Sequence, residues 1–110
     1  MNRDESYLLD VFESSKIILS YLDQKTSEDF LEDIQLQDSI IRRLEIIGEA
    51  TSRISIKTQN LYPLIPWREM KGMRNLLIHE YDEIDVELVW KTAMEDIPLL
   101  VIQLNKILNK

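Results

Sequence analysis

Apolar residues in this chain return every three or four positions, and no stretch alternates with a period of two. Leu8, Val11, Phe12, Ile18, Leu19 and Leu22 follow the helical spacing, as do Ile40, Leu44, Ile47 and Ile54. Leu88, Val89, Trp90, Ile97, Leu100, Val101, Leu104, Ile107 and Leu108 make a third such run. No pair of turn residues of the hairpin kind separates two strand-like runs. The pattern predicts an all-α chain, a small four-helix bundle. Its 110 residues, 45% apolar and 30% charged, fit one globular domain over 1–110.

Capping and breaking residues set the expected boundaries. The first helix runs from about Asp4 to Asp23. A second region opens near Ser27, where Ser27 or Asp29 could cap an extra short helix. Its long part reaches about Ser55. Gly48 lies inside it, where a glycine costs about 1 kcal/mol, so close approach of another backbone is expected there. Lys57 to Pro66 reads as a connection, broken by Pro63 and Pro66. Pro66 suits the first turn of a third helix ending near His79. Residues 80–85 read as an acidic turn, Asp85 as the N-cap of the last helix, and Pro98 as a kink within it.

Scarcities exclude whole classes of chemistry. Two glycines cannot build a glycine-rich phosphate loop, and the absence of cysteine removes disulfides, thiol nucleophiles and thiolate metal sites. A single histidine makes a three-ligand catalytic zinc site improbable, and neither metal nor cofactor is expected. No apolar run is long enough to span a membrane, and residues 1–5 lack signal-peptide order. A soluble, cytoplasmic protein is the expectation.

Charge is unevenly placed. Residues 1–41 hold 3 basic and 10 acidic groups, 42–74 hold 7 and 3, and 75–110 hold 3 and 7, which together give the net −7. An acidic whole disfavours nonspecific nucleic-acid binding. The central cations Arg42, Arg43, Arg53, Lys57, Arg68, Lys71 and Arg74 admit two readings. They are either a solvated, salt-bridged face or a confined anion site on an otherwise repelling surface.

The third helix carries the chemistry. With Arg74 at zero on a wheel of about 100° per residue, Lys71 falls near 60°, Asn75 near 100°, Arg68 near 120° and His79 near 140°. Met70, Leu77 and Met73 fall between about −40° and −100°. A basic, polar arc thus opposes an apolar one. Asn75 and His79 are four apart and can touch. Histidine exchanges protons near neutral pH, and arginine offers a planar fork to phosphate. Tyr81 lies just beyond. Such a set could cleave a phosphodiester without metal, through attack of a ribose 2′-hydroxyl on the adjacent phosphorus. A histidine at a helix end is equally a cap for the last carbonyls.

The segment Arg74-Asn-Leu-Leu-Ile-His79-Glu-Tyr81 matches the Arg, four to six residues, His, any residue, Tyr pattern of HEPN-domain ribonucleases. Residues 65–75 and the segment Ile46-Ile47-Gly48-Glu49-Ala50 resemble the HepT toxin branch of that superfamily. The resemblance implies a helical homodimer whose two motifs face one cleft and cut RNA without metal. It also implies a toxin whose antitoxin is an MntA-type nucleotidyltransferase, with further assembly of the pair. That antitoxin would attach AMP to Tyr81. By the same resemblance Arg74 and His79 are the catalytic pair, and Asn75 and Tyr81 position or bind substrate, with Lys71 and Arg68 beside them. Glu80, Asp82 and Glu83 form an acidic setting that would repel RNA, which leaves a noncatalytic HEPN module as the alternative. Gly72, near 160° on the wheel, would let two such helices approach across a dyad.

Other residues carry less. Glu45, Glu49, Arg42 and Arg53 read as surface pairs. Asp82 and Asp85 read as solvated turn acids, and Trp67 and Trp90 as core or interface residues. Tyr7, Tyr21 and Tyr62 give no functional signal, and Ser14 and Ser15 lack a nucleophile elbow.

Overall fold

The protein's structure is a computed structural model that describes residues 3–75 and 85–108, with the side chains of Arg74 and Asn75 left aside. The described residues hold seven α-helical segments and no strand: α1 (Arg3–Leu22), α2 (Ser27–Glu32), α3 (Ile34–Ser52), α4 (Ile56–Leu61), α5 (Trp67–Asn75), α6 (Val86–Lys91) and α7 (Ile97–Leu108). A π-helical turn, Thr92–Asp96, joins α6 to α7, so residues 86–108 form one continuous rod. The bundle expected from the sequence is therefore made by α1, α3, α5 and this last rod. Packing runs α7 on α1, α1 on α3, and α3 on α5.

Each boundary has a local cause. The first extra helix is capped by Thr26, not by Ser27 or Asp29. The Thr26 hydroxyl accepts from the Asp29 N–H at 3.1 Å, and the Asp29 carboxylate accepts from the Thr26 N–H at 2.9 Å. This reciprocal box satisfies two backbone donors at the helix start. Those bonds hold the Asp29 carboxyl below its ordinary value of 3.8. Asp33 ends α2 and also caps α3, accepting from the Leu36 N–H at 3.0 Å. The short α2 inserts one fully buried side chain, Phe30, whose ring meets Trp90 at 5.4 Å with a 40° tilt. Trp90 and Trp67 are both core residues, one half-buried and one buried.

The long helix α3 stops at Ser52, three residues short of the expected end. Residues 56–61, expected to be connection, form α4. Ser55 caps it by accepting from the Thr58 N–H at 3.2 Å. The Asp4 carboxylate in α1 then accepts from the Ser55 hydroxyl, the Thr58 hydroxyl at 2.6 Å and the Ser55 N–H at 3.2 Å. The Ser55 and Thr58 hydroxyls hold the Asp4 carboxyl below its ordinary 3.8. Helix α4 buries none of its residues. Its evidence is polar and tertiary, which is why an apolar period could not announce it.

Pro66 precedes α5 instead of sitting in its first turn. Its carbonyl accepts the first helical bond, from Met70 N–H at 3.0 Å. Asp85 caps α6 as expected, accepting from the Leu88 N–H at 3.1 Å. The disturbance expected at Pro98 appears as the π turn just before it. Ile97 N–H bonds to Thr92 O, five residues back. Proline has no N–H and its ring crowds the carbonyl four residues earlier, so a wider turn there relieves the contact. Thr92 and Ala93, both small and buried, let that turn lie against the core.

One buried atom is unsatisfied. Ser15 in α1 is fully buried, and its Oγ has no hydrogen-bond partner among the described residues. A buried hydroxyl without a partner costs about 1–3 kcal/mol. Ser15→Ala is expected to stabilise the fold by about 1 kcal/mol, read as a higher urea midpoint. A lower midpoint would reveal a bond that the hydroxyl makes.

Candidate active site

Helix α5 carries the first half of the motif. Three buried side chains, Trp67, Met70 and Met73, fix it on the bundle, with α3 as its main neighbour. The Trp67 indole N–H donates to two carbonyls, Tyr62 O at 2.9 Å and Gln59 O at 3.1 Å. Each of these carbonyls also accepts a backbone N–H, Gln59 O from Tyr62 and Tyr62 O from Ile65, both at 3.2 Å, so the indole adds a second bond to each and ties α5 to the end of α4. The roll of α5 is set at its first residue.

That roll revises the expected wheel. Trp67 lies seven residues before position 74, only about 20° away. The core-facing arc is wider than the three apolar positions suggested, and it does not simply oppose the basic arc.

The candidate residues are placed as follows. Arg74 and Asn75 are the last two described positions of α5. His79 and Tyr81 lie outside the described residues, as do Leu77, Glu80, Asp82 and Glu83. Arg68 is exposed in the first turn of α5. Lys71 is half-buried, and its ammonium donates to Gln59 Oε1 at 3.4 Å. The structure thus brings Lys71 and the position of Arg74 onto one short helix. Sequence reasoning missed Gln59, whose only signal is its place in the unforeseen α4.

Two of the central cations share a groove with α1. Arg42 and Arg53 line a groove of about 260 Å³ with Tyr7 and Asp10 of α1. Arg53 is paired with Glu49 at 3.3 Å, both half-exposed, as surface pairing predicted. Such a pair contributes little to stability. A separate groove of about 440 Å³ runs beside α5, floored by Met70, Met73 and Leu100 and lined by Gly72. Leu64 and Leu99 on its rim are 86% and 61% exposed, so an apolar surface adjoins the motif helix. A Cβ added at Gly72 meets nothing within 4 Å among the described residues. Gly48 is buried within α3, the helix that carries α5.

No group of three or more acids or histidines among the described residues could hold a metal ion. No helix among them is long and apolar enough to cross a membrane.

The all-α bundle is of the kind that HEPN-type ribonucleases form. The HepT-like ribonuclease family model matches residues 11–107, and the chain belongs to that family. It is 47% identical over 96 residues to the probable ribonuclease HepT of Thermococcus cleftensis, covering 87% of each chain. A protein named as an RNase in Methanocaldococcus jannaschii is 37% identical, with 86% of each chain covered. Another, in Caldanaerobacter subterraneus subsp. tengcongensis, is 33% identical over 100% of this chain and 98% of its own. No solved structure matches the chain significantly.

Gly72 yields a test of the free surface. With open space at its Cβ, Gly72→Ala removes the helix penalty of glycine at no steric cost within one chain. It is expected to raise stability by up to about 1 kcal/mol in melts at high dilution. A loss there would show position 72 to be packed within the monomer.

Proposed function

We propose that this chain is a metal-independent endoribonuclease acting as the toxin of a toxin–antitoxin pair. The observation that carries the reading is membership of the HepT-like family with Arg74, Asn75, His79 and Tyr81 all present at the motif spacing. In this reading His79 moves a proton, either from the attacking 2′-hydroxyl or onto the departing 5′-oxygen. The 2′-oxygen bonds to phosphorus as the P–O5′ bond breaks, leaving a 2′,3′-cyclic phosphate and a 5′-hydroxyl. Arg74 stabilises the charge that grows on the phosphoryl oxygens. Asn75 positions the substrate, and Tyr81 binds it.

One helix with three cations is a poor RNA site. Pairing two chains through the α5 face doubles the local positive charge. The groove beside α5 and the open Gly72 support that face as the one buried in a homodimer. AMP attached to Tyr81 by a nucleotidyltransferase antitoxin would set a negative phosphodiester beside Arg74 and compete for the substrate's cations. The acidic run Glu80, Asp82 and Glu83 favours a second reading, a noncatalytic module that binds a nucleotide or that partner.

Purified protein with RNA in excess chelator is expected to cleave, and His79→Ala and Arg74→Ala each to lose at least about 100-fold in rate. Equal cleavage by all three removes the assignment. Binding of the nucleotidyltransferase without any cleavage would instead establish the noncatalytic module. Made together with that partner, the chain is expected to gain the mass of one or several AMP units on Tyr81, and Tyr81→Phe none. Neutralisation of the nuclease with Tyr81 unmodified would sink the switch.

A further inference from the structure

Helix α4, which buries no side chain of its own, holds the start of α5 through a single residue. Gln59 makes contacts in three directions. Its Nε2 donates to Ile54 O beyond the end of α3, at 3.0 Å. Its backbone carbonyl accepts from the Trp67 indole at 3.1 Å. Its Oε1 accepts from the Lys71 ammonium at 3.4 Å. The first contact aims the carboxamide, because an amide that donates with nitrogen must present oxygen on the other side. Oε1 is therefore set for Lys71 by the backbone of the turn that follows α3.

The partner's neutrality matters. Among the described residues, Gln59 is the one hydrogen-bond acceptor at the Lys71 ammonium. A carboxylate there would orient the ammonium and also cancel its charge. A carboxamide orients it and leaves the charge whole, with two N–H donors still free. Lys71 precedes position 74 by three residues on the same helix, a spacing at which side chains are neighbours.

We propose that Gln59 is a positioning residue of the nuclease, holding the Lys71 ammonium uncancelled beside Arg74 as a second phosphate contact for single-stranded RNA. The proposal rests on the nuclease reading above. It assigns no proton transfer to Gln59 or to Lys71; both act on where the RNA backbone sits.

The test uses the full chain with His79→Ala as background, so that RNA stays intact. A fluorescein-labelled single-stranded oligoribonucleotide is titrated across a salt series and followed by anisotropy. Each neutralised phosphate contributes about 0.7 to the salt slope for a single strand. Gln59→Glu is expected to make the slope shallower by about 0.7. Lys71→Ala should do the same, and the double variant should change it no further. An unmoved slope in Gln59→Glu, or losses that add, would overturn the proposal.

If Gln59→Glu does not fold, Gln59→Met supplies the readout. Its loss of affinity is expected to vanish in the Lys71→Ala chain, and a loss that persists there overturns the link. A background protein that binds no RNA would remove the nuclease reading itself. In that event the Gln59–Lys71 contact is read from urea melts of the two single variants and the double. A departure from additivity of about twofold or more in the unfolding constant supports the contact, and additive losses overturn it.

Discussion

The Trp67 indole is the contact on which the motif's geometry depends. The described part of α5 is held on the bundle by packing. Two methionines and one tryptophan supply that packing. Methionine tolerates several rotamers and specifies roll poorly. The indole does specify it, because its one donor is shared by two carbonyls at the end of α4. Position 74 then inherits its bearing from a residue two turns away.

Much of the fold could be read because it follows apolar spacing. Leu8 to Leu22, Ile40 to Ile54 and Leu88 to Leu108 became the long helices that the pattern announced. Asp85 was legible as a cap since its side chain acts locally, on Leu88 three residues on. Thr26 was misjudged by one position, for Thr26, Ser27 and Asp29 are all capable caps and only the backbone decides among them. Helix α4 could not be read at all. Its stabilising bonds come from Asp4, more than fifty residues earlier, and a period within residues 56–61 carries no trace of that. The π turn was half legible: Pro98 signals a disturbance, but whether a helix bends or widens depends on the small Thr92 and Ala93 lying against the core.

The site divides along the same line. Arg74 and its spacing to His79 and Tyr81 are properties of the sequence, within the stretch 11–107 that the family model matches. The arc on which position 74 falls is a property of the packing. The wheel put Arg74 at the edge of the polar arc, and nothing in the residues alone says that Trp67, about 20° away, turns inward. The seven central cations admitted a solvated face or a confined anion site, and Arg42 and Arg53 line a groove with Tyr7 and Asp10 of α1. Proximity in sequence is a poor guide to proximity of charge once a helix has chosen its buried face.

This leaves few cations to meet an anionic substrate on a chain of net charge −7. Under such a balance, what surrounds each remaining cation counts for more than how many there are. Arg53 lies 3.3 Å from Glu49, and that carboxylate offsets its field. Lys71 sits against an amide and keeps its charge. The same helix surface can therefore repel polyanions over most of its extent and still attract them at one place. Selectivity of this kind needs no large basic patch, only a cation whose nearest acceptor is neutral.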